Sequence, residues 1–267
     1  MVRKAVIPAA GYGTRNLPIT KVLPKEMFPI CGRPAIDYIV QEAIGAGIEE
    51  ILIVLSRSKT MVMDYFDRSL ELENFLNMNS KSHLLPLLQQ PNVHIQYVRQ
   101  SYARGLGDAI RLAERFVGSD PFAVLLPDQL FVNEKKNALY EIIDTYYQSH
   151  VNVVGVKEIQ QENLKFYGVV EGTKITDEMY TMTNIIEKPQ SSTPSNLAVI
   201  GRYVFTPEIF SFLNKIPPGI GNEIQLTDAI QEMLSISPFI ARVLEEDCFD
   251  LGKEAEYMAL LNRMFKG

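Results

Sequence analysis

The chain has 267 residues, with 32 acidic and 26 Lys or Arg side chains and a formal net charge of −6. Proteins that follow the phosphates of nucleic acids are normally basic, so this charge argues against a nucleic-acid partner. No apolar run is long enough to cross a bilayer, and the amino terminus enters a predicted strand instead of a signal-peptide core. We therefore expect no membrane insertion and a cytoplasmic protein, at the upper end of the length of a single domain.

The first predicted strand ends in a loop with the composition of a phosphate-binding site. The apolar run of residues 4–9 is followed by small residues, which let backbone N–H groups approach an anion closely. Spaced cations then supply full charges. The spacing matches neither the dinucleotide fingerprint nor the P-loop, and a tight turn with ordinary surface cations is the alternative. The small residues are Ala10, Gly11 and Gly13, and the cations are Arg15, Lys21 and Lys25.

Strand and helix patterns alternate in the first half and predict a parallel sheet. The β-branched run of residues 50–55 suits a strand covered on both faces, and the helix between Pro34 and Gly45 completes a right-handed βαβ unit. The polar stretch of residues 58–90 predicts a helical insertion at one sheet edge. Further strands are predicted at 94–98, 122–126 and 151–156, and further helices from Gly105 and over 134–148.

The pattern changes in the second half, where short apolar runs predict a partly antiparallel region. The fold class is therefore α/β, with a mixed, mostly parallel central sheet flanked by helices and a smaller antiparallel region. Strands are predicted at 167–170, 182–186, 197–205 and from about 240 to 252, and helices from Asn222 and over 254–265.

Two aspartates lie where strands are predicted to end. Asp128 follows the strand of residues 122–126, and Asp250 precedes a glycine near the end of the last predicted strand. A carboxylate at the carboxyl end of a buried strand is well placed to hold a divalent cation against a phosphate. Because aspartate also favours turns, a plain turn is the alternative for each residue.

Glu187 and Lys188 form a candidate binding site for an acceptor substrate. They lie at the end of a predicted strand, where Glu187 could accept hydrogen bonds from sugar hydroxyls while Lys188 binds a phosphate. A solvated charged pair before a proline turn is the alternative. The pair therefore gains weight only from the other motifs of the chain.

Motifs along the whole chain resemble those of bacterial UTP–glucose-1-phosphate uridylyltransferases, which are sugar nucleotidyltransferases. Among these motifs, the Arg99-Gln100 pair and residues 223–228 separate this family from the related thymidylyl- and adenylyltransferases. The motifs are residues 8–15, 24–27, 66–69, 99–100, 105–107, 126–128, 167–168, 187–189, 194–198, 201–203 and 223–228.

The resemblance implies one Rossmann-like nucleotidyltransferase domain over residues 1–267. Residues 1–130 would bind the nucleotide, and residues 131–267 would bind the sugar phosphate and supply the carboxy-terminal helices. The implied nucleotide-binding residues are Ala9, Ala10, Gly11, Gly13, Thr14, Arg15, Lys25, Gln100, Gly105 and Asp128. The implied sugar-phosphate-binding residues are Tyr167, Gly168, Glu187, Lys188 and Val199, and the implied metal ligands are Asp128 and Asp250.

The implied reaction is transfer of UMP from UTP to α-D-glucose 1-phosphate, which gives UDP-glucose and pyrophosphate and depends on Mg²⁺. The implied catalytic residues are Arg15, Lys25, Asp128 and Lys188. Because a sugar 1-phosphate is already ionised near neutral pH, this reaction needs no general base. It needs cations that overcome the repulsion between two anions and neutralise the departing pyrophosphate. The resemblance also suggests a homodimer or homotetramer.

Three alternatives stay open. A non-catalytic sensor of UDP-sugars would have less use for a full set of charge-neutralising residues. A glycosyltransferase of similar fold would normally carry an Asp-x-Asp motif, where this chain has Asp128-Gln129-Leu130. The same chemistry could also use dTTP or another hexose or N-acetylhexosamine 1-phosphate. Two departures from the family, Asp108 for a usual histidine and Asn16 for an aromatic or apolar residue, lie near the nucleotide loops and bear on base selectivity.

Overall fold

The computed structural model describes residues 1–132 and 137–266. Most of its strands form one nine-stranded sheet, and two pairs of short strands lie beside it. The strands are β1 (Lys4–Ala9), β2 (Pro29–Ile30), β3 (Arg33–Pro34), β4 (Glu50–Leu55), β5 (His94–Arg99), β6 (Phe122–Leu125), β7 (Gln129–Val132), β8 (Asn152–Glu158), β9 (Gly168–Lys174), β10 (Met179–Glu187), β11 (Leu197–Phe205), β12 (Phe239–Val243) and β13 (Asp247–Asp250).

Helices connect the strands and cover both faces of the sheet. The α-helices are α1 (Ala35–Gly45), α2 (Thr60–Phe66), α3 (Leu70–Met78), α4 (Leu106–Arg111), α5 (Glu114–Val117), α6 (Ala138–Ser149), α7 (Ile209–Leu213), α8 (Leu226–Met233) and α9 (Glu254–Lys266). Short 3-10 helices span Thr14–Asn16, Ile19–Lys21, Lys25–Met27, Ser82–Leu88, Gln161–Phe166 and Ile220–Asn222. Within the described ranges, no helix is both long enough and apolar enough to cross a membrane.

The strand order places an open crevice beside β1. The large sheet has the order β5-β4-β1-β6-β11-β8-β12-β10-β9, and β11 also pairs with β9. Strands β5, β4, β1 and β6 are parallel, whereas β11 is antiparallel to β6 and β8. Because β4 and β6 lie on opposite sides of β1, the loops that follow β1 and β6 diverge, and ligands bind at such switch points in open α/β sheets.

Alternation along the parallel strands divides the core into two layers. On β1, Ala5 and Ile7 pack with residues of α1 and α6 on one face of the sheet. Val6, between them, packs with residues of α4, α7 and α8 on the other face. Successive side chains of a strand point to opposite faces, so a strand covered on both sides needs a continuous apolar run. This packing explains why β1, β4 and β6 lack polar alternation.

The predicted α/β fold with a mixed sheet is confirmed, and β4 covers the same residues, 50–55, that the sequence predicts. The stretch of residues 58–90 is helical, and Val62 and Phe66 of α2 anchor it in the core. Of the helix predicted over 134–148, residues 134–136 lie outside the described residues, and α6 begins at Ala138.

Three predicted elements differ from the observed ones. The single strand predicted from about 240 to 252 is two strands, because β12 pairs with β8 in the large sheet and β13 pairs with β7 outside it. The helix predicted from Asn222 begins at Leu226, because Ile224 hydrogen-bonds in extended form to the loop before α4. The helix predicted from Gly105 is divided into α4 and α5. Apolar spacing alone carries no information about which strand or loop is the partner.

Arg202 on β11 is fully buried and fixes the segment around Asp128. Its guanidinium donates hydrogen bonds to both carboxylate oxygens of Glu42, at 2.8 and 2.7 Å. It also donates to the carbonyl oxygens of Leu126 and Gln129, at 3.2 and 2.8 Å. Those two carbonyls flank Asp128 in the sequence. The planar, five-donor guanidinium suits this task because it can bind a carboxylate and several carbonyls at once.

We expect Arg202→Met to destabilise the protein by about 3–5 kcal/mol, because it removes the positive charge that pairs with the Glu42 carboxylate and the hydrogen bonds to two carbonyl oxygens. Denaturant unfolding would measure this loss. The control is Arg68→Met, which removes an exposed ion pair with Glu73 and should leave the free energy of unfolding unchanged. An Arg202 variant as stable as the Arg68 variant would contradict the structural role of Arg202.

Candidate active site

Two cavities lie at the carboxyl ends of the strands and meet at Asp128. One, which we call the loop cavity, has a volume of about 250 Å³ and lies among the loops that follow β1, β5 and β6. The other, which we call the strand cavity, has a volume of about 480 Å³ and lies beside β9, β10 and β11. Leu106, Leu126, Asp128 and Glu223 line both cavities. A ligand in either cavity would therefore lie beside the same carboxylate.

The predicted site residues divide between the two cavities. The loop cavity is lined by Ala10, Gly11, Lys25, Gln100, Gly105 and Asp128. The strand cavity is lined by Thr14, Arg15, Tyr167, Gly168, Glu187, Lys188, Val199, Asp128 and Asp250. Thr14 and Arg15, predicted as nucleotide-binding residues, thus lie on the side of the predicted sugar-phosphate residues, next to Asp128.

Some residues of the first loop line neither cavity. The side chain of Ala9 is fully buried in the core beneath the loop. Gly13 has a left-handed backbone, with φ of 66°, and its carbonyl accepts a hydrogen bond from the Thr20 hydroxyl at 2.8 Å. Lys21 is exposed. Only part of the predicted loop thus lines the cavities. Ala9 packs in the core, and Gly13 allows the left-handed turn of the loop backbone.

Cations and carboxylates alternate where the two cavities meet. The Lys25 ammonium lies 2.5 Å from a carboxylate oxygen of Asp128. The Arg15 guanidinium lies 2.8 Å from Asp250 and 3.7 Å from Asp128, so it bridges the two carboxylates. Gly252 makes room for this bridge, because an added Cβ there would overlap the Arg15 guanidinium. The loop after β1 is thereby tied to the ends of β6 and β13.

These contacts shift the pKa values of the cluster toward its charged forms. Burial alone would raise the pKa of the Asp128 carboxyl, but Lys25 and then Arg15 outweigh burial and hold that pKa below its ordinary value. Burial lowers the pKa of Lys25, but the charges of Asp128 and Glu26 raise that pKa by more than burial lowers it. The net shift is therefore upward. For Arg15, burial lowers the pKa, but the hydrogen bond to Asp250 and the charges of Asp250 and Asp128 together outweigh burial, so the net shift is upward. The cluster is therefore ionic at neutral pH.

A buried ion pair holds the segment that carries Lys25. The Lys59 ammonium donates to both carboxylate oxygens of Glu26, at 2.8 Å each, and both side chains are almost fully buried. Burial lowers the pKa of Lys59, and the attraction of Glu26 opposes that shift. The pair ties the start of the helical insertion of residues 58–90 to the segment that carries Lys25. Sequence reasoning missed it, because the partners lie 33 residues apart.

In the strand cavity, Glu187 and Lys188 are held by neighbouring residues. Glu187 accepts a hydrogen bond from the Thr227 hydroxyl at 3.1 Å and forms an ion pair with Lys188 at 3.1 Å. Lys188 has a left-handed backbone, with φ of 43°, and its N–H donates to the carbonyl of Tyr167 at 3.0 Å. The Tyr167 hydroxyl accepts from Lys253 at 2.8 Å. The charged pair is thus an ordered part of the cavity wall.

Residues 223–228 contribute side chains that sequence reasoning did not place in the site. Glu223 lines both cavities, and Gln225 and Thr227 line the strand cavity. The signal was present, since this run is one of the motifs that distinguish the resembled family. Its function could not be read because the segment reaches the site through a tertiary contact, in which Ile224 donates its N–H to the carbonyl of Arg104 at 2.7 Å.

Asp128 and Asp250 are suited to hold a divalent cation together. Both contact the same Arg15 guanidinium, so they face a common point. Among residues 1–132 and 137–266, no group of three or more His, Cys, Asp or Glu side chains is arranged to bind a metal ion. Magnesium is commonly held by one or two carboxylates, with substrate phosphates and water as further ligands. The donor set therefore fits a divalent cation bound together with a phosphate substrate.

Comparison with known proteins identifies the family. The model of the Nucleotidyl transferase family matches residues 4–265. A UTP–glucose-1-phosphate uridylyltransferase of Bacillus subtilis (strain 168) is 44% identical over 260 residues, which cover 96% of this chain and 89% of that protein. UTP–glucose-1-phosphate uridylyltransferase 2 of Streptococcus pyogenes serotype M3 is 44% identical over 263 residues, which cover 96% and 88% of the two chains.

Solved structures give the same result. A UDP-glucose pyrophosphorylase complexed with UDP-glucose is 39% identical, with a TM-score of 0.89 and coverage of 100% of this chain and 99% of that one. A UTP-bound UDP-glucose pyrophosphorylase from Acinetobacter baumannii is 38% identical, with a TM-score of 0.90 and coverage of 98% and 93%. The chain therefore belongs to the nucleotidyl transferase family, and its resemblance to bacterial UTP–glucose-1-phosphate uridylyltransferases is confirmed.

Proposed function

We propose that this protein transfers UMP from UTP to α-D-glucose 1-phosphate and releases UDP-glucose and pyrophosphate, in a reversible reaction. The observation that carries the proposal is the junction of two cavities at Asp128, with Arg15 and Lys25 beside it. A reaction between two phosphorylated substrates needs such a junction, because both anions must reach one point. The relatives named above support UTP and glucose 1-phosphate as the two substrates.

The nucleotide occupies the loop cavity in this proposal. Its base lies near Gln100 and Gly105, and the backbone at Ala10 and Gly11 borders it. The triphosphate extends toward Asp128, where Arg15 and Lys25 offset its charge. Small residues at the loop are required because a larger side chain would keep phosphate oxygens away from the backbone N–H groups.

Glucose 1-phosphate occupies the strand cavity. Glu187 accepts hydrogen bonds from sugar hydroxyls, while Lys188 binds the phosphate, and Tyr167, Gly168 and Val199 border the sugar. Thr227 and the Lys188 ammonium hold the Glu187 carboxylate in place. The acceptor phosphate would therefore lie on the side of Asp128 opposite the base.

The chemistry follows from this arrangement. A phosphate oxygen of glucose 1-phosphate attacks the α-phosphorus of UTP in line, and the bond between the α-phosphorus and the bridging oxygen of the leaving pyrophosphate breaks. The attacking oxygen is already ionised, so no residue has to remove a proton. The two cavities align the reactants, and Arg15, Lys25 and Lys188 reduce the repulsion between them. Asp128 and Asp250 would hold magnesium, which would supply further neutralisation of phosphate charge.

Several parts of the proposal rest on the sequence alone. They are a single domain over 1–267, divided at residue 130 between nucleotide and sugar-phosphate binding, a homodimer or homotetramer, and a cytoplasmic location. The division at residue 130 is not strict in the cavity linings. Glu223, from the second half, lines the loop cavity, and Arg15, from the first half, lines the strand cavity. The two functions therefore share residues across the proposed boundary.

The proposed reaction is tested by measuring pyrophosphate release with magnesium across UTP, dTTP, CTP, ATP and GTP. Each nucleotide is paired with glucose, galactose or N-acetylglucosamine 1-phosphate. We expect turnover mainly with UTP and glucose 1-phosphate. We expect a loss of about a hundredfold or more in Asp128→Ala and in Lys188→Ala, because each removes one charged group at the reacting phosphates.

Two other outcomes would contradict the proposal in distinguishable ways. Turnover confined to another nucleotide or sugar phosphate would keep the chemistry and change the substrates. No turnover with any pair, despite UDP-glucose binding, would indicate a sensor.

The Arg15 bridge predicts a specific effect at Gly252. In Gly252→Ala the new Cβ displaces the Arg15 guanidinium, which lies at the end of a flexible side chain and can move. We therefore expect little change in melting temperature but a loss in kcat/KM of about tenfold to a hundredfold, because misplaced binding groups slow the reaction. In an Arg15→Ala background the same substitution should have no further effect. Independent, additive losses in the two variants would contradict this coupling.

The charge cluster also predicts a change in the titration of Asp128. In the wild-type protein its pKa lies below the ordinary aspartate value of about 3.9. In Lys25→Met the main opposing charge is removed, so burial raises the pKa of Asp128 above its wild-type value. ¹³C NMR of the carboxyl carbon, assigned with Asp128→Asn, would measure both midpoints. Lys21→Met is the control, because Lys21 lines neither cavity. An unchanged midpoint in Lys25→Met would contradict the electrostatic account.

A further inference from the structure

The carboxamide of Gln100 is fixed by two acceptors at the edge of the loop cavity. Gln100 follows β5, is only 5% exposed and lines that cavity. Its Nε2 donates to a carboxylate oxygen of Asp108 at 2.8 Å and to the carbonyl oxygen of Gly105 at 3.3 Å. The other carboxylate oxygen of Asp108 accepts from Arg111 at 2.5 Å. Both hydrogens of the Gln100 amide group are thereby engaged.

The chemistry of these partners allows one orientation of the carboxamide. A carbonyl oxygen and a carboxylate accept hydrogen bonds and cannot donate them. Rotating the carboxamide by half a turn would place its oxygen against both acceptors and lose two hydrogen bonds. The Oε1 atom is therefore the carboxamide atom left without a partner among the described residues, in a residue that lines the cavity. Within the described part of the chain, no hydrogen bond occupies Oε1.

The surrounding loop is held in place independently. Gly105 has φ of 99°, and a Cβ there would collide with the backbone of Ile224. Gly107 donates its N–H to the carbonyl of Ile224 at 2.8 Å, and Ile224 donates to Arg104 at 2.7 Å. The acceptor carbonyl of Gly105 thus belongs to a segment that is hydrogen-bonded to Ile224 on both sides. Its position does not depend on Gln100.

We propose that Asp108 is a positioning residue for base selection, which fixes the Gln100 carboxamide so that Oε1 accepts a hydrogen bond from N3–H of the pyrimidine base. This inference rests on the proposed function. Uracil carries a hydrogen on N3, whereas cytosine has a lone pair there. In cytosine two acceptors would face each other, so the hydrogen bond is lost and the buried oxygen is left unpaired.

Position 108 carries a side chain that, when ionised, can only accept hydrogen bonds. A histidine there could either donate or accept, so it would leave the choice between the two orientations of the carboxamide to the Gly105 carbonyl. A carboxylate that is paired with Arg111 is compatible with one orientation. Asp108 therefore acts through Gln100 and need not touch the base.

The experiment compares kcat/KM for UTP and for CTP, with glucose 1-phosphate and magnesium, in the wild-type protein and in Asp108→Asn. The asparagine is nearly isosteric, but its own amide can donate to Oε1 of Gln100, so the longer hydrogen bond to the Gly105 carbonyl, at 3.3 Å, becomes the contact that favours the wild-type orientation. We expect the ratio of the two kcat/KM values, UTP over CTP, to fall about tenfold, the effect of one hydrogen bond. Asp108→His should also lower this ratio.

The control is Arg111→Gln, which removes the ion pair and keeps the Asp108 oxygen that accepts from Gln100. Its ratio should equal that of the wild-type protein. If Asp108→Asn lowers both kcat/KM values equally, or raises the ratio, Asp108 has a structural role only and the proposal is overturned. Melting temperatures of the variants identify any that fail to fold. If Asp108→Asn fails to fold, the ratio measured in Asp108→His tests the proposal instead.

The same ratio can be measured without turnover. Calorimetric affinities for UDP and CDP should show a lower preference for UDP in Asp108→Asn than in the wild-type protein. If the wild-type protein lacks activity with every nucleotide, the proposed function fails, but this binding ratio still tests the role of Asp108. If the protein is active with UTP and neither ratio changes in Asp108→Asn, the proposed function stands and the inference fails.

Discussion

The site depends on keeping Asp128 ionised at a partly buried point where two cavities meet. Burial opposes a charge there, and the Lys25 ammonium at 2.5 Å together with Arg15 at 3.7 Å outweighs that opposition. The same contacts bring the cations to the position where two phosphorylated substrates have to approach each other. One cluster of charges thus fixes both the carboxylate and the groups that lower the repulsion between substrates.

The fold supports this cluster from several sides. Arg202 binds the carbonyls that flank Asp128 and joins them to Glu42 of α1. The Glu26–Lys59 pair holds the segment that carries Lys25 against α2. These are buried polar contacts in which the loss of one partner leaves an uncompensated charge, so breaking them is costly. The order of the parallel strands then places this arrangement at the switch point beside β1.

The sequence predicted the parts of the site that are local. Asp128 and Glu187 were found because each follows or ends an apolar strand, and β4 was predicted residue by residue. Contacts between distant segments could not be read, such as that between Arg15 and Asp250, which are 235 residues apart. For the same reason β12 and β13 were predicted as one strand: apolar alternation describes a strand and does not name its partner.

The most direct test of the account is isotope exchange between labelled pyrophosphate and UTP, with magnesium, in the absence and presence of UDP-glucose. If the two cavities bring the substrates together at Asp128, UMP passes directly from one phosphate to the other. Exchange should then be absent with UTP and pyrophosphate alone and should begin when UDP-glucose is added. Exchange without any sugar nucleotide or sugar phosphate would require a covalent uridylyl-enzyme, which would contradict direct transfer at the junction of the two cavities.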